Sequence, residues 1–365
     1  MKFNAIDLFA GAGGLSLGLE KAGFNIVLAN EINKDCAETY SKNHLQTLMI
    51  NKDIKDVNFE EEVKKIGFHN KINLIAGACP CQGFSTVGKK NEQDERNDLF
   101  REYIRVVKSI LPDFVLFENV SGFKAMYKGR IFNCLCEEFH RLGYETKYEI
   151  LNAVNFGLPQ SRKRTIIVGF RKNMSFTMPE GSYGKNQDHE KKNSFRILRD
   201  AISDLPKVES GEESKEYLCA PKNEYQKELR GNEVILTEHF VSQHGESILN
   251  VLSKVPYGGS ILNVPQELRP KGYFGNTYAR LEWEKPTPTL TRNFGSPSSS
   301  RCVHPELNRG LTTREGARVQ GFPDSYVFAG KKGSKNLQIG NAVPPLLGYE
   351  IGNKIHQSLL KYCRK

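Results

Sequence analysis

Three short stretches of this chain hold side chains suited to covalent and acid–base chemistry. In GACPCQGFS, Gly77 to Ser85, Cys81 follows Pro80, whose fixed φ stiffens the turn at the end of the apolar run INLIAG. A thiol so placed opens onto a cleft and suits a nucleophile. Cys79 points the other way in an extended segment and reads as structural. Glu118, in FVLFENVSGF, ends another apolar run and faces the same cleft. Desolvation beside apolar strands raises a carboxyl pKa and lets it hold or donate a proton. In GLPQSRKR, Gln160, Arg162 and Arg164 precede the run TIIVGF. Arg162 and Arg164 project to one face of an extended segment, and two guanidiniums there suit a planar, electron-rich substrate or a phosphate.

A second group of residues points to a cofactor. DLFAGAGGLSLGLEKAG, from Asp7 to Gly23, places Gly11, Gly13 and Gly14 between a strand and a helix. Glycines there allow positive φ and close approach of a ligand to the backbone. Ser16 stands where a dinucleotide fingerprint has glycine, so the loop by itself indicates a nucleotide-like cofactor and no more. Glu31 ends the second strand, where an acid binds the two hydroxyls of a ribose. Asp53, at the end of a third strand, is placed to accept from an adenine amino group.

These residues need a scaffold. Strands are expected at Asn4–Phe9, Asn25–Ala29, Lys71–Gly77, Asp113–Glu118, Glu145–Leu151 and Arg164–Phe170. Helices are expected between them at Gly14–Ala22, Lys34–Asn43, Leu99–Ile110 and Ile131–Leu142. Alternation of this kind predicts an α/β fold with a doubly wound, mostly parallel sheet, which binds ligands outside the carboxyl ends of its strands. Residues 172–193 are polar and loop-like, and 194 to about 335 mix short helices with irregular chain. A last helix is expected over Ile351–Tyr362, after Pro344 and Pro345.

Composition narrows the class. The chain has 365 residues, 38% of them hydrophobic and 26% charged, which suits two domains and excludes a disordered chain or a small disulfide scaffold. The apolar runs are strand-length, and no secretory signal is read at the N-terminus, so a cytoplasmic protein is expected. Eight cysteines without a matched pair of C-x-x-C motifs predict free thiols and no structural metal. The formal net charge is +10, and residues 278–340 carry ten basic against five acidic groups. That excess suits a surface that meets a polyanion.

Taken together, the motifs resemble the cytosine carbon-5 DNA methyltransferases, specifically the bacterial restriction-modification type. In family order stand DLFAGAGG, Glu31, Asp53, GACPCQGFS, ENV, QSRKR, RLEWEKPTPTLT (Arg280 to Thr291) and QIGNAVPP (Gln338 to Pro345). The stretch GLTTREGARVQGFPDSYVFAG between Gly310 and Gly330 also fits, and the resemblance spans nearly everything outside about 172–275. It implies methyl transfer from S-adenosyl-L-methionine to carbon-5 of a cytosine flipped out of a specific double-stranded DNA sequence. Cys81 would add to carbon-6, Glu118 would hold ring nitrogen-3, and Arg164 would steady the exocyclic oxygen. Arg162 would join Arg164 in shaping the electronics around the thiolate.

The resemblance further implies cofactor contacts at Phe9, Gly11, Gly13, Gly14, Leu15, Glu31, Asp53, Ile54, Pro80 and Asn341. DNA contacts are expected at Gln82, Ser85, Lys89 and Arg96 in a mobile catalytic loop, and at Arg292 and Arg301 in a base-reading segment. The implied domains are 1–178 (catalytic, first part), 179–333 (target recognition) and 334–365 (completing the catalytic domain). A monomer without metal or membrane attachment is expected, with a cognate restriction endonuclease encoded separately. Three alternatives stay open at this point. One is the tRNA-methylating branch of the family, one a catalytically idle DNA-binding relative, and one a nicotinamide oxidoreductase, which Ser16 and the PCQ cysteine disfavour.

Overall fold

Runs of branched and aromatic residues set the strands, and polar caps set where the helices begin. The computed structural model describes residues 2–68, 70–80, 99–185 and 191–364. These fall into two compact units: Met1–Asn152 with Lys163–Glu180 and Pro345–Lys365, and Ala153–Arg162 with Gly181–Pro344.

In the first unit β1 (Phe3–Leu8), α1 (Gly14–Lys21), β2 (Phe24–Asn30), α2 (Lys34–Asn43), β3 (Leu48–Ile50), α3 (Phe59–Lys65) and β4 (Leu74–Gly77) follow in order. They are succeeded by α4 (Leu99–Ile110), β5 (Phe114–Val120), α5 (Arg130–Arg141), β6 (Tyr144–Asn152) and β7 (Lys163–Arg171). The strands form one sheet in the order β3-β2-β1-β4-β5-β7-β6. The first five are parallel, while β7 runs antiparallel to both β5 and β6. Parallel strands covered on both faces read as unbroken apolar runs, and Phe114–Phe117 and Leu74–Ala76 are accordingly buried throughout. Helix starts follow from their caps: the Asn33 side chain accepts from the Cys36 N–H, and Asn58 from that of Glu61.

Tyr103 of α4 is a wedge in this core. Its hydroxyl lies 3.0 Å from the carbonyl oxygens of both Ile75 and Leu116, on neighbouring strands. The C-terminal helix, Pro345–Cys363, starts at the second proline of the pair, six residues earlier than expected. It packs on α1, and a Cβ at Gly18 would lie only 2.4 Å from the Pro345 carbonyl oxygen. The helix that carries the glycine loop is thus seated on chain from the far end of the sequence.

The second unit has short helices: α6 (Leu198–Ile202), α7 (Glu224–Arg230), α8 (Glu246–Ser253), α9 (Thr313–Gln320) and α10 (Lys332–Asn341). Buried ion pairs stand in for regular structure. Arg318 contacts Asp204 at 2.5 Å and Asp324 at 2.6 Å, Arg230 contacts Asp204 at 2.6 Å, and Arg309 contacts Glu315 at 2.7 Å. The compact units differ from the expected boundaries at three places: residues 153–162 and 334–344 lie with the second unit, and 179–180 with the first.

Gly18→Ala tests the helix seat. The added methyl meets backbone, which cannot swing aside, so stability should fall by about 1–3 kcal/mol or more in denaturant unfolding. An unchanged unfolding midpoint would show that the contact is slack.

Candidate active site

β1 ends at Leu8, and the turn into α1 holds three residues in the left-handed region: Phe9 (φ 55), Gly11 (φ 54) and Gly13 (φ 87). Phe9 is not glycine, and such strain in an L-residue is retained mainly where function uses the turn. A Cβ on Gly11 would meet nothing within 4 Å, so the space over the loop is open. Glu31, just after β2, ties the loop down from the neighbouring strand. One carboxylate oxygen accepts from the Gly11 N–H and the other from the Asn33 N–H, each at 2.8 Å. Desolvation pushes the Glu31 carboxyl above its usual range, against the pull of those bonds.

Asp53 caps the short turn Ile54–Asp56 by accepting from the Lys55 N–H at 3.0 Å. Arg105 of α4 holds that turn from behind, donating to the carbonyls of Ile54 (2.7 Å) and Val57 (3.2 Å). Nothing in the motif pattern singles out Arg105, which lies in an ordinary amphipathic helix. Leu15 and Ile54 are buried, Pro80 is exposed, and Gly13 and Gly14 are buried in the turn. An open loop with a carboxylate at the end of the next strand is a donor set that fits an adenosine-containing cofactor.

Beneath the loop lies a polar cluster that the sequence shows only as the Ser16 anomaly. Ser16 donates to Asp7 at 2.6 Å and stands 2.7 Å from the Tyr40 hydroxyl, with all three side chains buried. A serine at this position thus links β1, α1 and α2. Burial lifts the Asp7 carboxyl to about 7; the Ser16 bond opposes the rise, and the charges of Glu31 and Glu20 add to it.

At the other half of the sheet, Glu118 and Arg164 form an ion pair of 2.9 Å, both largely buried. The register explains it: β5 and β7 pair Val120 with Arg164 and Glu118 with Ile166, so the acid and the guanidinium are diagonal neighbours on one face. Asn119, the middle residue of ENV, donates to the Cys79 carbonyl at 3.2 Å and so fastens the segment leading to Cys81. Cys79 itself is buried in the core. Cys81, Gln82, Ser85, Lys89 and Arg96 lie outside the described residues. Burial pushes the Cys36 and Cys302 thiols up to about 12, which makes both inert as nucleophiles.

The structure gives Arg162 partners within the chain. It is fully buried in the second unit and donates to the carbonyls of Leu290 (3.1 Å), Gly340 (2.8 Å) and Ala342 (3.0 Å). Gln160 works beside it, accepting from the Leu290 N–H at 3.0 Å and donating to Gln320 at 2.7 Å, while Gln320 donates to Ala342 at 2.7 Å. Three motifs distant in sequence are therefore knotted together by QSR. Asn341 is the exposed last residue of α10, inside that knot.

Of the ten cations in 278–340 four, Arg280, Arg309, Arg314 and Arg318, are buried, and of its five acids two, Glu315 and Asp324, so six basic against three acidic groups remain outside the core. Arg280 alone donates to the carbonyls of Val255, His304, Leu307 and Leu252 and to the Asn308 side chain. Burial without a partner is costly for arginine, and carbonyl-rich loops or acids satisfy it here. In Thr291–Arg301, Phe294 is buried and pins the loop, while Arg292 is exposed and Arg301 half-buried. Among the described residues no helix is long and apolar enough to cross a membrane, and no acid, histidine and cysteine group is placed to hold a metal ion.

A seven-stranded sheet of this order, with a glycine turn after β1 and a carboxylate after β2, has the methyltransferase fold. The chain belongs to the C-5 cytosine-specific DNA methylase family, whose model matches residues 3–357. It is 35% identical to the Type II methyltransferase M.DdeI of Desulfomicrobium norvegicum, over 96% of this chain and 88% of that protein. It is 34% identical to the Type II methyltransferase M1.HphI of Haemophilus parahaemolyticus, over 97% and 87%. Its fold is similar to the crystal structure of a prophage-encoded DNA modification methyltransferase of E. coli, with TM-score 0.79, 26% identity and coverage of 98% and 99%.

The raised Asp7 pKa gives a pH test. Between about pH 4 and pH 7 the folded protein keeps a proton that the unfolded chain has released, so Asp7 costs stability increasingly as pH rises through that window. Asp7→Asn keeps the acceptor for Ser16 and removes the titration. The variant's stability relative to wild type should therefore improve by about 1–3 kcal/mol from pH 5 to pH 8 in urea titrations. A difference that stays constant with pH would place the Asp7 titration outside this window.

Proposed function

We propose that the protein methylates carbon-5 of a cytosine within a short duplex DNA sequence, as the modification half of a type II restriction-modification system. The observation that carries this reading is the Glu118–Arg164 pair across β5 and β7, within a chain that belongs to the cytosine-specific family. Cytosine carbon-5 is a weak nucleophile. Addition of the Cys81 thiolate to carbon-6 gives carbon-5 the electron density of an enamine. Ring nitrogen-3 is an acceptor, so Glu118 meets it in the protonated form and, by giving it that proton, stabilises the charge that develops there. Arg164 holds Glu118 in place and donates to the exocyclic oxygen. Once carbon-5 carries the methyl group, loss of its proton to solvent breaks the carbon-6–sulfur bond, returns that electron pair to the Cys81 thiolate and frees the methylated base. The base must leave the helix stack before a thiol can reach it.

S-adenosyl-L-methionine, when bound, supplies the electrophilic methyl. Phe9, Gly11, Gly13, Gly14 and Leu15 would cradle it, Glu31 would bind its ribose hydroxyls, and Asp53 with Ile54 would meet its adenine. Pro80 and Asn341 complete the proposed contacts. In this reading Arg162 is a positioning residue, and the base-reading role stays with Arg292 and Arg301. Gln82, Ser85, Lys89 and Arg96 are proposed to close over the flipped base. The protein is proposed to act as a cytoplasmic, nucleoid-associated monomer beside a separately encoded endonuclease.

Tritiated methyl transfer to duplex DNA and to tRNA tests the reading. Label should enter duplex DNA and not tRNA. Cys81→Ser should lower the rate by at least about a thousandfold, because the acting nucleophile is removed. Glu31→Ala should weaken cofactor binding at least about tenfold, since a charge-assisted bond is worth roughly 1.5–3 kcal/mol. Label in tRNA alone would establish the other branch of the family.

A further inference from the structure

Beyond the end of β5 the chain turns through Ser121–Gly129 into α5 and leaves a hollow of about 590 Å³ against β6. We infer that this hollow is a second contact for the DNA backbone, in which Lys124 and Lys128 take phosphates flanking the target cytosine. The inference rests on the reading of the protein as a DNA methyltransferase.

Charge is the first support. Among the described residues lining the hollow two are lysines and none is acidic. Lys124 is already aimed, its ammonium lying 4.4 Å from the centre of the Tyr148 ring and 2.5 Å from the Tyr148 hydroxyl, to which it donates. Tyr148 in turn packs edge-on against Phe132 of α5, with ring centres 4.8 Å apart. A cation so fixed loses less freedom when it meets an anion.

Backbone strain is the second support. Tyr127 (φ 48, ψ 42) and Lys128 (φ 57, ψ 32) are consecutive left-handed residues, neither of them glycine. That conformation is disfavoured for L-residues and clusters at ligand-binding segments, and here it presents Lys128 at the rim.

Position is the third support. Ser121 directly follows β5, and Ile150, on the opposite wall, pairs with Thr165, the neighbour of Arg164. Along an extended strand Ser121 is about 10 Å from Glu118. Each strand of a duplex advances about 3.4 Å per nucleotide, so phosphates about three steps from the target fall in range. Exposure of Tyr148 and Ile150, at 45% and 48%, leaves this wall open to a large ligand.

The experiment is fluorescence anisotropy of labelled duplexes, with and without the target sequence, between 50 and 200 mM salt. The double variant Lys124→Ala/Lys128→Ala should reduce the log–log salt slope by about 1.8, or about 0.9 per lost contact. It should weaken both duplexes equally and leave cofactor affinity unchanged. Lys128→Gly removes the charge while relieving the left-handed residue. It should melt at or above the wild-type temperature and still lose about 0.9 of slope, which separates lost contact from lost folding. A wild-type slope in the double variant would overturn the inference, as would a change in sedimentation without a change in slope, which would make the hollow a contact for a second copy. Wild-type methyl transfer is measured on the same preparation. Labelled DNA with unaltered slopes overturns the hollow alone, whereas unlabelled DNA overturns the reading beneath it.

Discussion

The ion pair between Glu118 and Arg164 is the constraint on which the proposed chemistry of this protein rests. Neither side chain is placed by its own loop. Each sits on a central strand, and the antiparallel register of β5 with β7 makes them diagonal neighbours. An acid largely out of water needs a partner, and a guanidinium satisfies it with fixed geometry while leaving other donors for a substrate. The wedge of Tyr103 behind β4 and β5, and the bond from Asn119 to the Cys79 carbonyl, tie β5 to β4 and the chain that follows it. The site's precision is thus a property of the sheet.

The cofactor side follows a similar plan with a different bond. Glu31 fastens the glycine turn to the end of β2 through two backbone N–H groups, and the C-terminal helix closes on α1 behind it. The buried Asp7–Ser16–Tyr40 cluster ties β1, α1 and α2 beneath that turn. A carboxylate bonded this way is preorganised, so a ligand that replaces one of its partners need not order the loop first.

Much of this was legible in the sequence. Lys34–Asn43 and Leu99–Ile110 are helices over the expected residues, because periodicity and caps are local signals. The strands shift by one to three residues at their ends, where ladder pairing and not composition decides. Helix α3 was not expected; its seven residues carry only two buried apolar side chains, too few for a periodic signal. The partners of Arg162 are not legible locally, because Leu290, Gly340 and Ala342 lie far along the chain. The charge of 278–340 is only partly a surface property, because composition counts a buried Arg318 and an exposed Arg292 equally. Burial of arginine depends on acids and carbonyls brought from far along the chain, and no local window contains them.

The central claim is that Cys81 bonds to the cytosine while the Glu118–Arg164 pair steadies the ring. A duplex with 5-fluorocytosine at the target tests it directly, because fluorine cannot leave as a cation and the reaction halts after methyl transfer. In the presence of S-adenosyl-L-methionine the protein should become linked to this DNA, and the link should survive denaturing electrophoresis. Peptide mapping should place it on Cys81; Cys79→Ser should still form it and Cys81→Ser should not. A link mapped to any other residue, or full-rate methylation by Cys81→Ser, would contradict the account.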